Sequence, residues 1–219
     1  VTLPWAPVFQ AVDTTPPAAP TGLAVADVAA DQGGALRLNW TANTEADLQD
    51  YRIRRSTGTG ITAATAVLVT IAGAPPGTTH QDAGLANNTT YYYRLTARDT
   101  NSNESAISAS DVGTYPVDNL APGAPTGVAV ADVAADQGGA LQLSWTANTE
   151  VDRKDYGVYR ALASGALGTK TLITRVTDPG TTHQDAGLAA GTTYYYQLTA
   201  RDVSLNESGG STESSAYPV

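Results

Sequence analysis

The chain has 219 residues, a formal net charge of −9 and no cysteine. An acidic surface gains no counterion release from a polyanion, which argues against nucleic acid as a partner. The lack of cysteine excludes disulfides, thiolate metal sites and cysteine nucleophiles, and the sequence has no apolar run of about 18 residues for membrane insertion. The chain begins at Val1 and contains no methionine, which favours a processed, secreted product with an extracellular or cell-surface location.

Residues 1–13 form an apolar N-terminal arm that is not repeated later in the chain. Pro4 and Pro7 exclude a central strand position there, but residues 8–12 suit a short edge strand. Two alternatives stay open: the arm packs on its own first domain, or it adds as a strand to an open sheet edge of a neighbouring subunit. The residues predicted to make this contact are Leu3, Trp5, Val8, Phe9 and Val12.

A repeat of about 105 residues divides the rest of the chain into two domains. The segment around Trp40 returns almost unchanged around Trp145. The predicted domains are residues 14–117 and 118–219. Each begins with a proline-rich segment, which is extended and stiff in isolation.

Seven strand signals follow in order within the first repeat and return in the second. Residues 35–41 alternate apolar and polar side chains, the period of a strand with one buried face, and residues 91–97 alternate in the same way. The signals lie at residues 21–28, 35–41, 51–55, 66–71, 78–81 and 91–97, with a weaker one running to residue 117. Seven short strands separated by turns, without a helix, predict an all-β fold of two tandem antiparallel sandwiches.

Each repeat resembles a fibronectin type III domain of the bacterial or archaeal extracellular kind. The resemblance covers everything except the arm, and it implies a seven-stranded, immunoglobulin-like sandwich in which a tyrosine hydroxyl pins the turn before the sixth strand. It implies no single function, because this fold serves as spacer, adhesin and accessory module. Four features carry the resemblance: the Pro-x-x-Pro-Thr-Gly segment at residues 17–22, which leads into the first domain; Trp40 and Trp145; the Tyr-x-Ile/Val-x-Arg patterns that begin at Tyr51 and Tyr156; and the Asp-Ala-Gly-Leu segments that begin at Asp82 and Asp185, with the tyrosines that follow them.

No catalytic constellation is evident in the sequence. His80 and His183 are the only histidines, and each stands where the family often has a packed aromatic ring. A nucleophile would need such a base within hydrogen-bond reach and a third group to orient it, so we expect no catalysis and no catalytic cofactor.

The loops after the second and sixth strands are acidic and meet at one end of the predicted sandwich. Carboxylate and amide oxygens are what Ca²⁺ prefers, but Asn and Asp are also ordinary turn formers. A weak calcium site is therefore one hypothesis and simple turns the other. The candidate ligands are Glu45, Asp47, Asp99, Asn101 and Asn103, and in the second repeat Glu150, Asp152 and Asp202.

Two surface features complete the candidates. Tyr92 and Tyr195 fall between inward-facing tyrosines and should face outward, where they favour the strand or stack on sugars or another subunit. Five Asn-x-Ser/Thr motifs mark glycosylation acceptors in a competent secretory system, namely Asn39, Asn87, Asn88, Asn103 and Asn206.

These patterns predict a non-catalytic, secreted structural or adhesive protein. The specific hypothesis is a cell-surface or extracellular filament that assembles head-to-tail through the arm, since a heterologous contact that does not close polymerises. Its partners would be further copies of the chain, glycans or cell-surface components. The alternative is a spacer or glycan-binding accessory module of a larger secreted polysaccharide-degrading enzyme.

Overall fold

The computed structural model describes residues 12–73 and 75–219. Their contacts form two compact units, Val1–Asp118 and Asn119–Val219. Of the arm, Leu3, Trp5, Val8 and Phe9 lie outside the described residues, while the side chain of Val12 is 79% exposed. In the described part of the chain, no helix has the length and apolar character needed to cross a membrane.

Unit 1 consists of two antiparallel sheets, one with the strand order β1-β2-β5 and one with the order β4-β3-β6-β7. The strands are β1 Thr21–Asp27, β2 Ala35–Thr41, β3 Leu48–Ser56, β4 Val67–Ala72, β5 Thr79–Ala83, β6 Tyr91–Asp99 and β7 Val112–Thr114. Along β2 the side chains alternate between buried and exposed, as the period-two pattern requires.

Unit 2 repeats this topology with the sheets β12-β9-β8 and β11-β10-β13-β14. The strands are β8 Thr126–Asp132, β9 Ala140–Thr146, β10 Arg153–Ala161, β11 Thr171–Thr177, β12 Thr182–Ala186, β13 Tyr194–Asp202 and β14 Ser214–Ala216, with a 3₁₀ turn at Leu167–Thr169 before β11. The predicted all-β class and seven-stranded sandwiches are confirmed.

Each unit has its own aromatic core. The rings of Trp40 and Tyr51 meet edge-on with centroids 5.4 Å apart, and Trp145 and Tyr156 do the same at 5.4 Å. Edge-to-face contacts of this kind add to the burial of the rings. The duplicated tryptophan therefore fills one core per domain.

The predicted tyrosine pin before the sixth strand is confirmed in both units. The Tyr91 hydroxyl accepts a hydrogen bond from the backbone N–H of Ala86 at 3.1 Å. The Tyr194 hydroxyl accepts one from Ala189 at 3.0 Å. The turn that enters β6 or β13 is thus fixed from within its own strand.

The last strand of each unit is shorter and earlier than the sequence indicates. β7 ends at Thr114, because Pro116 has no N–H to give to the ladder. Before β7, the chain follows the edge of β6 through serine side chains: Ser105 and Ser108 each accept, at Oγ, a backbone N–H of β6, at 2.9 Å and 3.1 Å. Each serine also donates its own backbone N–H to the carbonyl of the same β6 residue, at 2.8 Å, so mixed backbone and side-chain bonds take the place of a regular strand.

Candidate functional site

The loop after the second strand of each unit binds the proline-rich segment that enters that unit. In unit 1, Asn43 Nδ2 donates to the carbonyl of Ala18 at 2.9 Å, and Glu45 Oε1 accepts the N–H of Ala18 at 2.7 Å. We call this two-sided contact the backbone clamp. It satisfies both backbone polar groups of one residue, Ala18, which lies outside the strands.

Unit 2 has the same backbone clamp on Gly123. Asn148 Nδ2 donates to its carbonyl at 2.7 Å, and Glu150 Oε1 accepts its N–H at 2.8 Å. The hydrogen bond from Gly123 lowers the pKa of Glu150, and the bond from Ala18 does the same to the pKa of Glu45, because each bond favours the ionised carboxylate. The clamp therefore works with a charged acceptor.

Three carboxylates converge at this end of unit 1. Asp13, Asp47 and Asp99 each place an oxygen within 4.8 Å of the others. Asp99 is fully buried; burial opposes its ionisation, but hydrogen bonds from Asn103 and the following backbone amides outweigh it and lower the pKa of Asp99. The cluster thus keeps a buried negative charge beside two further carboxylates.

The structure brings together only part of the predicted calcium set. Asp47 and Asp99 meet, with Asp13 as the third carboxylate, whereas Glu45 belongs to the backbone clamp. Asn103 Nδ2 donates to Asp99 Oδ2 at 2.8 Å and to the carbonyl of Asp13 at 3.1 Å, and Asn101 Nδ2 also reaches that carbonyl, at 3.4 Å.

In unit 2 the equivalent side chains follow the same pattern. Glu150 is in the clamp, and Asn206 Nδ2 donates to Asp202 Oδ2 at 2.9 Å. The backbone carbonyl of Asp152 accepts the N–H of Val203 at 2.9 Å, so the loop that carries Asp152 meets the end of β13, where Asp202 lies. Calcium binding at either set stays a prediction.

A second duplicated constellation ties the two sheets of each unit together. In unit 1, the carboxylate of Asp82 accepts Nη1 of Arg55 at 2.8 and 2.9 Å and the hydroxyl of Tyr93 at 2.7 Å. In unit 2, Asp185 binds Arg160 and Tyr196 with the same atoms and distances. Burial, together with the neighbouring carboxylate, raises the pKa of Tyr93, so this hydroxyl remains a donor.

The predicted glycosylation acceptors differ in their surroundings. Asn39 and Asn88 are exposed. Asn87 is also exposed, but its side chain accepts the N–H of Gly34 and donates to the carbonyl of Gln32. The amides of Asn103 and Asn206 are engaged with aspartates, as described above.

Sequence identity to a solved protein, together with the two seven-stranded sandwiches, identifies the family. An Fn3-like protein from Clostridium thermocellum is 30% identical to this chain over 45% of it and 95% of that protein, with a TM-score of 0.38. This chain is a tandem of fibronectin type III domains. No family model matches the sequence.

Among curated proteins, the tandem is similar to parts of two enzymes. Chitinase A1 from Niallia circulans is 32% identical over 95% of this chain, and exoglucanase B from Cellulomonas fimi is 31% identical over 91% of it. The chain spans only 27% and 16% of the lengths of these relatives. The similarity therefore concerns a minor part of each enzyme.

Sequence reasoning missed the backbone clamp and the role of Asp13. The signal for both was present: the proline-rich entry recurs with an aspartate at Asp13 and Asp118, and Asn-Thr-Glu recurs at 43–45 and 148–150. What the sequence does not reveal is that these polar side chains bind the chain's own backbone.

Proposed function

We propose that this tandem is a non-catalytic spacer and accessory module of a larger extracellular polysaccharide-degrading enzyme. The enzymes to which it is similar, a chitinase and an exoglucanase, support this assignment, as does the small share of their length that it spans. A module of this kind separates and orients other domains, so its own requirement is mechanical.

The observation that carries the proposal is the backbone clamp. A spacer transmits position only if the segment entering each domain is attached to that domain. Asn43 and Glu45 attach Ala18 to unit 1, and Asn148 and Glu150 attach Gly123 to unit 2. Proline-rich sequence stiffens the same segments.

The buried carboxylates favour a structural role over acid–base chemistry. Arginines bind Asp82 and Asp185, and Oδ2 of Asp50 accepts a hydrogen bond from Nη2 of Arg98 at 2.5 Å. The carboxylates of Asp82 and Asp185 also accept a tyrosine hydroxyl each, so both side chains are held inside the fold by residues of the other sheet. These residues are suited to tying strands together.

Two measurements test the proposal. First, the native polypeptide containing this sequence, isolated from culture medium and mapped by peptide mass spectrometry, is expected to be several times longer than this chain and to include a hydrolase domain. Second, the purified tandem is expected to release no reducing ends from chitin, cellulose or pullulan. A native product of this size alone, or sugar release by the purified tandem, would contradict the proposal.

The filament hypothesis stays a prediction. Four of the five arm residues on which it depends lie outside the described residues, and the relatives favour the accessory role. Deleting residues 1–12 and measuring particle size by light scattering distinguishes the two, because a filament subunit loses its assembly and an accessory module is a monomer before and after the deletion.

A further inference from the structure

Each unit presents two tyrosines on the outer face of its four-stranded sheet. In unit 1, Tyr92 pairs with Gly113 of β7, and its neighbour Tyr93 is fully buried, so Tyr92 faces away from the core. Tyr115 lies two residues beyond Gly113 and precedes a proline, which favours extended backbone. Its side chain, 47% exposed, belongs on the face of Tyr92.

The same arrangement recurs in unit 2. Tyr195 pairs with Ser215 of β14, and Ala216 packs against the core. Residues 215 and 217 therefore point outward together, and Tyr217 is 54% exposed. We refer to Tyr92 with Tyr115, and Tyr195 with Tyr217, as the tyrosine strips.

Glycine sets the position of the first ring. A Cβ at residue 113 would lie 2.6 Å from Cδ1 of Tyr92 and 3.1 Å from its Cε1, so the ring packs against bare backbone. Gly113 is itself exposed. The half-buried ring of Tyr92 is thus supported by the sheet, and a tyrosine fixed in this way loses little side-chain entropy on binding.

The surroundings of the strip in unit 1 suit an uncharged ligand. Arg94, two residues along β6, is paired with Asp111 at 2.7 Å. Ser56, which pairs with Tyr92 from the other side, carries a hydroxyl whose oxygen accepts the N–H of Gly58 at 3.0 Å and whose hydrogen can be donated. The net charge of −9 disfavours acidic polymers through like-charge repulsion.

We propose that the tyrosine strips bind a neutral polysaccharide chain, with the apolar faces of its sugar rings on the tyrosines and its hydroxyls on polar groups such as Ser56. Aromatic faces with a polar tip suit a ligand that is apolar on its ring faces and polar at its edges. Each unit carries one such strip. This surface presupposes the accessory role proposed above and adds a ligand to it.

Two assays test binding of the full chain. Insoluble chitin and microcrystalline cellulose are used to deplete the chain from solution, and native gels that contain soluble starch measure its retardation. We expect binding to at least one of these polymers. Replacing all four strip tyrosines with alanine should weaken it by about tenfold or more, whereas replacing them with phenylalanine should preserve most of it. Gln81→Ala, on the exposed face of β5 in the other sheet, is the matched control and should bind like the parent chain.

Folding and binding are separated by a second measurement. Each variant is first compared with the parent chain by thermal unfolding, and amide chemical shifts of Tyr92, Gly113 and Tyr115 are followed during titration with chitohexaose and cellohexaose. Shifts confined to the strips support the proposal. No depletion by any polymer, or equal binding by the alanine variant, overturns it; the length of the native polypeptide tests the spacer role independently.

Discussion

At the scale of single residues, Asp82 and Asp185 have the most demanding environments. Both side chains are buried. Each carboxylate accepts hydrogen bonds from an arginine of the third strand and from the hydroxyl of a tyrosine of the sixth strand of its unit. Because these aspartates lie in the other sheet, the bonds cross the sandwich. A buried charge with both partners present is stable, but it becomes costly when one is removed.

Removing these partners one at a time should separate their contributions. Tyr93→Phe leaves Asp82 bound to Arg55 and should lower the free energy of unfolding by about 1 to 2 kcal/mol. Asp82→Ala leaves both Arg55 and the tyrosine hydroxyl without their acceptor and should cost about 3 kcal/mol or more. Urea unfolding measures both, with the exposed Tyr115→Phe as the control; equal losses for Tyr93→Phe and Tyr115→Phe would contradict a role for the buried hydroxyl.

If calcium binds to the carboxylates of Asp13, Asp47 and Asp99, it should raise the free energy of unfolding of the chain. A ligand that binds only the folded state at ten times its Kd adds about 1.4 kcal/mol, which raises the melting temperature by a few degrees. We expect millimolar CaCl₂ to do so for the parent chain and to have a smaller effect on Asp47→Asn. MgCl₂ at equal ionic strength is the control, and the absence of any calcium-specific shift contradicts the prediction.

At the scale of elements, the backbone clamp gives the entry segment a defined dependence on pH. The pKa of Glu150 is lowered from its ordinary value of 4.5, so its contribution to stability is present above that value and is lost as pH falls through the lower, folded pKa. Glu45 behaves in the same way.

The Glu150→Gln variant tests this dependence. At pH 7 it should melt below the parent chain, because a neutral amide accepts the N–H of Gly123 less strongly than a carboxylate does. The difference should shrink steadily below pH 4.5, since the carboxyl of the unfolded parent chain becomes protonated there and that of the folded chain at a still lower pH. Thermal unfolding between pH 7 and pH 2 gives the comparison, with Glu45→Gln as the matched variant in unit 1; a difference that does not change with pH would contradict the clamp.

Strands with one fully buried face were predictable from the sequence, and irregular ones were not. β2 has the predicted bounds at both ends, because Leu36, Leu38 and Trp40 alternate with polar residues. The sixth strand was recognised for the same reason. The edge along Ser105 and Ser108 gave no such pattern, since side-chain hydroxyls bind the β6 amides there and hydrophobic periodicity does not report side-chain bonds.

At the scale of the whole molecule, the repeat made the number of domains readable, while the polar contacts within each domain remained hidden. In the sequence, Glu45 is equally compatible with a calcium ligand, a turn residue or an acceptor for a backbone N–H, and Asn43 with a turn residue or a donor to a backbone carbonyl. Only the fold places Ala18 beside them. Tertiary neighbours thus decide the role of a polar loop, whereas the core residues follow directly from their spacing.

The two separate cores also predict how the molecule responds to a substitution in one of them. The buried cluster of unit 1 includes Trp40, and that of unit 2 includes Trp145. Replacing Trp40 with alanine removes a ring that is 6% exposed and should destabilise unit 1 by about 3 to 5 kcal/mol. Because unit 2 keeps its own cluster, its residues should remain folded when unit 1 unfolds.

Hydrogen exchange resolved along the chain distinguishes this outcome from global unfolding. In Trp40→Ala, amides of β2, β3 and β6 should lose protection while those of β9, β10 and β13 keep it, and Trp145→Ala should show the reverse. The two substitutions are matched controls for each other, since they remove the same ring from equivalent strands. If either one abolished protection in both sets of strands, the domains would share a single folding transition, and the tandem would be one cooperative unit rather than two joined modules.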